Sequence, residues 1–159
     1  CAARKSDERG RKSAPMSADI IAHARSWIGT PYLHQAAVKG VGCDCAGLIR
    51  GIWRTVYGSE IAGIPAYTPD WAEPQNDEYL LKTVARLFQR VDGGPLKHGQ
   101  LLVFRMRRGL IAKHLGLVAT DGASPSFIHA YSGHGVVESP LSIPWQRRIA
   151  ARFVFDLGD

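Results

Sequence analysis

Two cysteines stand one residue apart in the segment GVGCDCAGLIRGIW, Cys43 and Cys45, with Asp44 between them. The only other cysteine among the 159 residues is Cys1, and six histidines are available as partners. Cysteine attacks as its thiolate, which a helix N-terminus stabilises through unpaired N–H groups and the helix dipole. It also needs a base, most often histidine. Asp44 has the chemistry of an N-cap, so Cys45 opens the helix that follows. Cys45 precedes Leu48 and Ile49 by three and four residues, which puts it on their buried face. Cys43 lies before the helix, and periodicity leaves its direction open. Ala46 and Gly47 are small, so a substrate backbone could approach the helix end. On this ground Cys45 is either a nucleophile or an inert buried thiol.

The histidines are unequal. His23 has charged neighbours on a helix, His98 and His134 sit beside glycines in turns, and His34 is in a loop. His114 and His129 each lie inside an apolar strand. Strand parity groups His114 with Ala112 and Gly116, opposite Leu115 and Leu117, and the small neighbours leave room for a helix end on the His114 face. His129 shares its face with Phe127 and Tyr131. Two strand histidines and a cysteine at a cap favour a Cys–His–polar site. The same residues, Cys43, Cys45, His114 and His129, could in principle ligate zinc. Cys-x-Cys is tighter than the usual zinc spacing, however, and no second close pair exists. Neither a metal nor a cofactor is expected. A bridge between Cys43 and Cys45 would be strained, so reduced thiols are expected.

These residues must be positioned by helices first and strands afterwards. Ile20, Ile21, Ala24, Trp27 and Ile28 recur at helical spacing after Ser17, and Gly29 stops the helix. Residues 33–42 read as loop. The helix capped by Asp44 carries Leu48, Ile49, Ile52, Trp53 and Val56, and Gly58 ends it. Residues 59–74 hold three prolines and read as an irregular connection. A third helix starts at Asn76, with Leu80, Leu81, Val84, Leu87 and Phe88 as its stripe. QLLVFRM, AKHLGLVAT, SFIHAY, VVES and RIAARFVFD then read as strands. The expected class is α+β, with N-terminal helices packed on a C-terminal antiparallel sheet.

The chain has the size of one domain, an apolar fraction of 45% and a charged fraction of 21%. No apolar run approaches the roughly 20 residues of a membrane helix, so no membrane insertion is expected. The net charge is +6, and the first fifteen residues hold five basic and two acidic side chains. With almost nothing to bury, residues 1–15 are expected to be disordered. They read as a tag, a leader or an over-extended start before Met16, with no visible signal peptide, and the domain as residues 16–159. Solvated charge, rather than specific nucleic-acid binding, is the expected role of the tail. The basic body suits an anionic partner such as a cell wall.

Four segments in order, GTPY (Gly29 to Tyr32), DCAGL (Asp44 to Leu48), HLGLV from His114, and FIHAYSGHGVVE, give the chain a resemblance. From Ala18 to Phe155 it resembles the NlpC-type family of papain-like cysteine peptidases, which cut bacterial peptidoglycan. The resemblance implies Cys45 as nucleophile, His114 as base and His129 as the polar third member. It also implies Tyr32 and the Cys45 backbone N–H near the oxyanion, and Asp44 in binding the stem peptide. The usual substrate bond is γ-D-glutamyl to diaminopimelate, cut through a thioester. The family's Ser after the cysteine is Ala46 here, and its Tyr-x-Gly-Gly continuation is replaced by Leu33, His34, Gln35 and Ala36. The wording of residues 29–53 is similar to a branch found in phage tails and gene-transfer-agent particles. That implies tail or baseplate partners, assembly in the cytoplasm and action at the cell wall. A non-catalytic tail adaptor and an acyltransferase on the same scaffold are the alternatives.

Overall fold

The structure, a computed structural model, describes residues 17–64 and 77–155. The tail 1–15, the helix start at Asn76 and the connection beyond residue 64 lie outside the described residues. Helix α1 (Ser17–Ser26) buries Ile20, Ile21 and Ala24, and Trp27 just beyond it, whereas Ile28 falls past the helix end and is 45% exposed. The segment expected as plain loop contains a small hairpin, β1 (Ala37–Val38) with β2 (Gly42–Cys43).

Helix α2 (Cys45–Tyr57) begins where expected. Asp44 accepts a hydrogen bond from the Gly47 N–H at 2.7 Å, and Gly58 closes the helix in the left-handed region at φ 74°. Helix α3 (Tyr79–Leu87) buries Leu80 and Val84. Phe88 is buried too, but from an extended backbone just past the helix.

Strand β3 (Gln89–Val91) was not foreseen. It is followed by β4 (Gln100–Phe104), β5 (His114–Thr120), β6 (Ser126–Tyr131), β7 (Gly135–Pro140), a one-turn helix α4 (Ile143–Gln146) and β8 (Ile149–Val154). The six strands form one sheet in the order β3-β8-β4-β5-β6-β7, with every pairing antiparallel. No described helix is long and apolar enough to cross a membrane.

Alternation along the strands divides the core. Leu101, Val103, Leu115, Leu117, Ile128, Ala130 and Phe153 face the helices and pack with Leu48, Ile52 and Trp53 of α2. Leu102, Phe104, Val118 and Phe127 face the other way and are covered by Trp145 of α4 and by Leu96, Met106 and Ile149. The helical face therefore belongs to Leu115 and Leu117. An added Cβ at Gly116 would lie 2.8 Å from the Phe127 ring, so the room expected beside Gly116 is taken by an aromatic side chain of the next strand.

Candidate active site

The N-terminus of α2 meets the sheet at the start of β5. Cys45 Sγ donates to the Lys113 carbonyl at 3.9 Å, and the Leu115 backbone also interacts with the thiol. The thiol is thus held against the two residues that flank His114. Cys43 and Cys45 are both free cysteines. Cys43 is 0% exposed, its N–H donates to Pro31 and its carbonyl accepts from Leu33, whereas Cys45 keeps 6% and His114 7% exposure. Both thiols are buried.

His114 Nε2 lies 2.7 Å from His129 Nδ1, and His129 Nε2 lies 2.9 Å from Ser139 Oγ. Among the described residues, His114 Nδ1 is the ring nitrogen without a hydrogen-bond partner. The rings are held by aromatic packing. Trp145 lies 5.3 Å from the His129 ring and 5.9 Å from that of His114, centroid to centroid, and the Phe127 ring lies 4.1 Å from that of His129, tilted by 31°. Sequence reasoning missed Ser139 and Trp145. The hairpin register could have found Ser139: His129 pairs with Val137, so Ser139, two residues on, shares the His129 face. Ser142 and Pro144 ahead of Trp145 carry a helix-start signal that announces α4.

Burial sets the resting protonation. It pushes the Cys45 thiol up to about 12, assisted by the Asp44 carboxylate and opposed by backbone interactions at Leu115, Ala46 and Cys45. Burial likewise holds His114 down to about 3, with His129 adding to the effect, and His129 down to about 4, with His134 adding. The resting thiol and imidazoles are therefore neutral, not the preformed thiolate that a helix N-terminus alone would favour, and among the described residues no hydrogen bond joins Cys45 to the His114 ring. Tyr32, raised to about 12 chiefly by burial and then by Cys45, keeps its phenol proton.

Asp44 is 2% exposed, and its two oxygens accept the N–H groups of Gly47 and Gln35, each at 2.7 Å. His34 Nδ1 lies 3.6 Å away. It is a double cap joining the loop to the helix. Gly47 does not serve substrate approach: an added Cβ would sit 1.8 Å from the Ala36 carbonyl oxygen, so the chain's own backbone fills that space. Gly47→Ala would gain about 1 kcal/mol on helix propensity alone. Here the backbone must give way instead, and the expected result is a loss of about 2–3 kcal/mol in urea unfolding.

Among the described residues no group of three or more His, Cys, Asp or Glu could hold a metal ion.

A helix-capped cysteine set against an antiparallel sheet that carries a buried histidine pair marks an α+β domain of the NlpC/P60 type. The chain belongs to the NlpC/P60 family, whose family model matches residues 29–153. It is similar to an NlpC/P60 family protein of Bacillus cereus at 24% identity and a TM-score of 0.64, covering 91% of this chain and 41% of that one. It is also similar to the NlpC/p60 domain of the peptidoglycan hydrolase SagA at 24% identity and TM-score 0.60, covering 87% of this chain and 98% of that one. A lipoprotein-like NLP/P60 family protein of Staphylococcus aureus gives 20% identity and TM-score 0.58, covering 91% of this chain and 45% of that one. This chain thus spans less than half of the Bacillus and Staphylococcus chains. No curated protein sequence matches it.

Proposed function

We propose that the chain is a cysteine endopeptidase of peptidoglycan stem peptides, with Cys45 as nucleophile and His114 as base. Family membership supports the reaction class. The observation that carries the residue assignment is the buried chain His114–His129–Ser139, whose one unused ring nitrogen belongs to the residue flanked by the two that touch Cys45 Sγ. For His114 Nδ1 to accept a proton, His114 must hold its other proton on Nε2 and donate it to His129 Nδ1. His129 then carries its proton on Nε2 and donates it to Ser139 Oγ. Ser139 Oγ can accept that proton, so this tautomer is hydrogen-bonded along the whole chain.

In the reaction the Cys45 proton passes to His114 Nδ1 as sulfur attacks the scissile carbonyl. Burial opposes a lone thiolate and a lone imidazolium, but this transfer creates both together, each stabilising the other. The oxyanion takes the backbone N–H of Cys45 and the Tyr32 hydroxyl as donors. Collapse to the thioester breaks the C–N bond, and the leaving amine takes the proton from His114. Water then attacks the thioester with His114 as base, releasing the carboxylate and restoring the thiol. The bond is the γ-D-glutamyl link to diaminopimelate, and the setting is a phage-like particle opening the wall locally through tail or baseplate contacts. That setting rests on the wording of residues 29–53.

Digestion of purified muropeptides, followed by mass spectrometry, tests this reading: new stem fragments are expected, and their absence overturns it. Ser139 is a positioning residue. Ser139→Ala is expected to lower kcat about 10-fold, the worth of one hydrogen bond, with KM unchanged and Ser139→Thr restoring the rate. A change in KM alone would contradict the positioning role.

A further inference from the structure

Beyond the site, on the side of the sheet covered by α4, lies a groove of about 860 Å³ whose lining includes Arg105, Arg108, Arg147 and Arg148 but no acidic side chain. One wall is the end of β4 and the turn after it; the other is α4 and the start of β8. Arg105 is paired with Glu78. Arg108, Arg147 and Arg148 are in no ion pair among the described residues, and Arg148 lies 5.1 Å over the Trp145 ring. The floor is apolar, made by Met106, Ile149 and Ala150.

We propose that this groove binds an anionic cell-wall polymer whose units are joined by phosphodiesters, holding the enzyme on its substrate. Three guanidinium groups in no ion pair among the described residues provide forked donors matched to phosphate oxygens. The apolar floor accepts the CH-rich backbone between phosphates, which a free anion would leave uncovered. A concave channel takes a chain segment, whereas a planar membrane surface would not enter it. Single-stranded nucleic acid would need aromatic stacking platforms, and no aromatic side chain lines the groove. Both walls also lead to the candidate site: the turn after β4 runs on to Lys113, against Cys45, and α4 carries Trp145 onto the histidine rings. A polymer held here would lie beside the strand it decorates. The choice of a wall polymer rests on the wall-peptidase reading, but binding can be measured without turnover, so the two fail separately.

The experiment is fluorescence anisotropy of the full chain with a labelled glycerol-phosphate oligomer. Parallel arms use a single-stranded oligonucleotide of matched charge and vesicles of anionic phospholipid. Expected are saturable binding of the oligomer and a log Kd against log salt slope of about 2, for three phosphates engaged. Arg108→Glu with Arg147→Glu should weaken binding at least about 10-fold, on the scale of two charge-assisted contacts. The milder Arg108→Gln with Arg147→Gln should weaken it in the same direction. Lys39→Glu with Lys97→Glu, which changes net charge equally elsewhere, should leave binding nearly intact. Absence of oligomer binding, equal loss in the control pair, or preference for the oligonucleotide or the vesicles would overturn the proposal.

Discussion

Cys45→Ala is expected to abolish muropeptide cleavage, with a loss of at least about 10⁴-fold, while Cys43→Ala retains most of the rate. The two thiols are neighbours in sequence, but they occupy different environments. Cys43 is enclosed, anchored through Pro31 and Leu33, and held up to about 12 by burial and the Asp44 carboxylate. Cys45 stands at the helix opening, against the strand start that bears His114. Alkylation near neutral pH should follow the same order, with Cys45 modified before Cys43. Both should react slowly, because the resting thiol is neutral. His114→Ala should match Cys45→Ala within the assay floor, since without an acceptor the buried thiol keeps its proton. Equal cleavage by Cys45→Ala and wild type, or a dead Cys43→Ala, would remove Cys45 from its assigned role.

The second large effect is on stability in mild acid. His114 and His129 are held at about 3 and about 4, well below the ordinary 6.5, mainly because burial disfavours their charged forms. In the unfolded chain both would bind protons near 6.5, whereas the native state refuses them down to those lower values. Between these limits the unfolded state carries more protons, so stability rises with pH. The contribution is complete above 6.5 and is lost as pH falls through the window towards 4. From pH 7 to pH 5 the expected loss is about 2–4 kcal/mol, from roughly 1.4 kcal/mol per excluded proton and pH unit. Urea midpoints at the two pH values, with an unchanged m-value, measure it. The double variant His114→Gln with His129→Asn should flatten the dependence. A slope equal to wild type would locate the acid sensitivity elsewhere.

Much of the site was legible because its signals are local. An Asp followed by an apolar stripe at helical spacing announces a capped helix, which placed Cys45 at the first turn before any contact was known. Alternation placed His114 and His129 inside buried strands, and the motifs located both as members of one constellation. The fold class followed from the order of periods, helical first and strand-like afterwards. Gly58 as a left-handed stop belongs with these, since the requirement lies in its own backbone.

What tertiary structure decided were the meetings between segments distant in the chain. Gly47 could be read as an opening for substrate, yet the Ala36 carbonyl occupies that space because the β1–β2 hairpin folds back onto the helix. Gly116 could be read as room for a helix, yet Phe127 arrives from the next strand. The direction of Cys43, undetermined by periodicity, was fixed by two backbone hydrogen bonds. Ser139 joined His129 only through the β6–β7 register, and Trp145 covered the pair only because α4 crosses that face. Protonation was decided in the same way. A helix N-terminus favours a thiolate, but packing removes the water that would stabilise it, and desolvation prevails over the dipole. Caps and periods are properties of neighbouring residues, so the sequence carries them openly. Space, solvent and register belong to the folded surfaces that meet, and no single stretch of chain contains them.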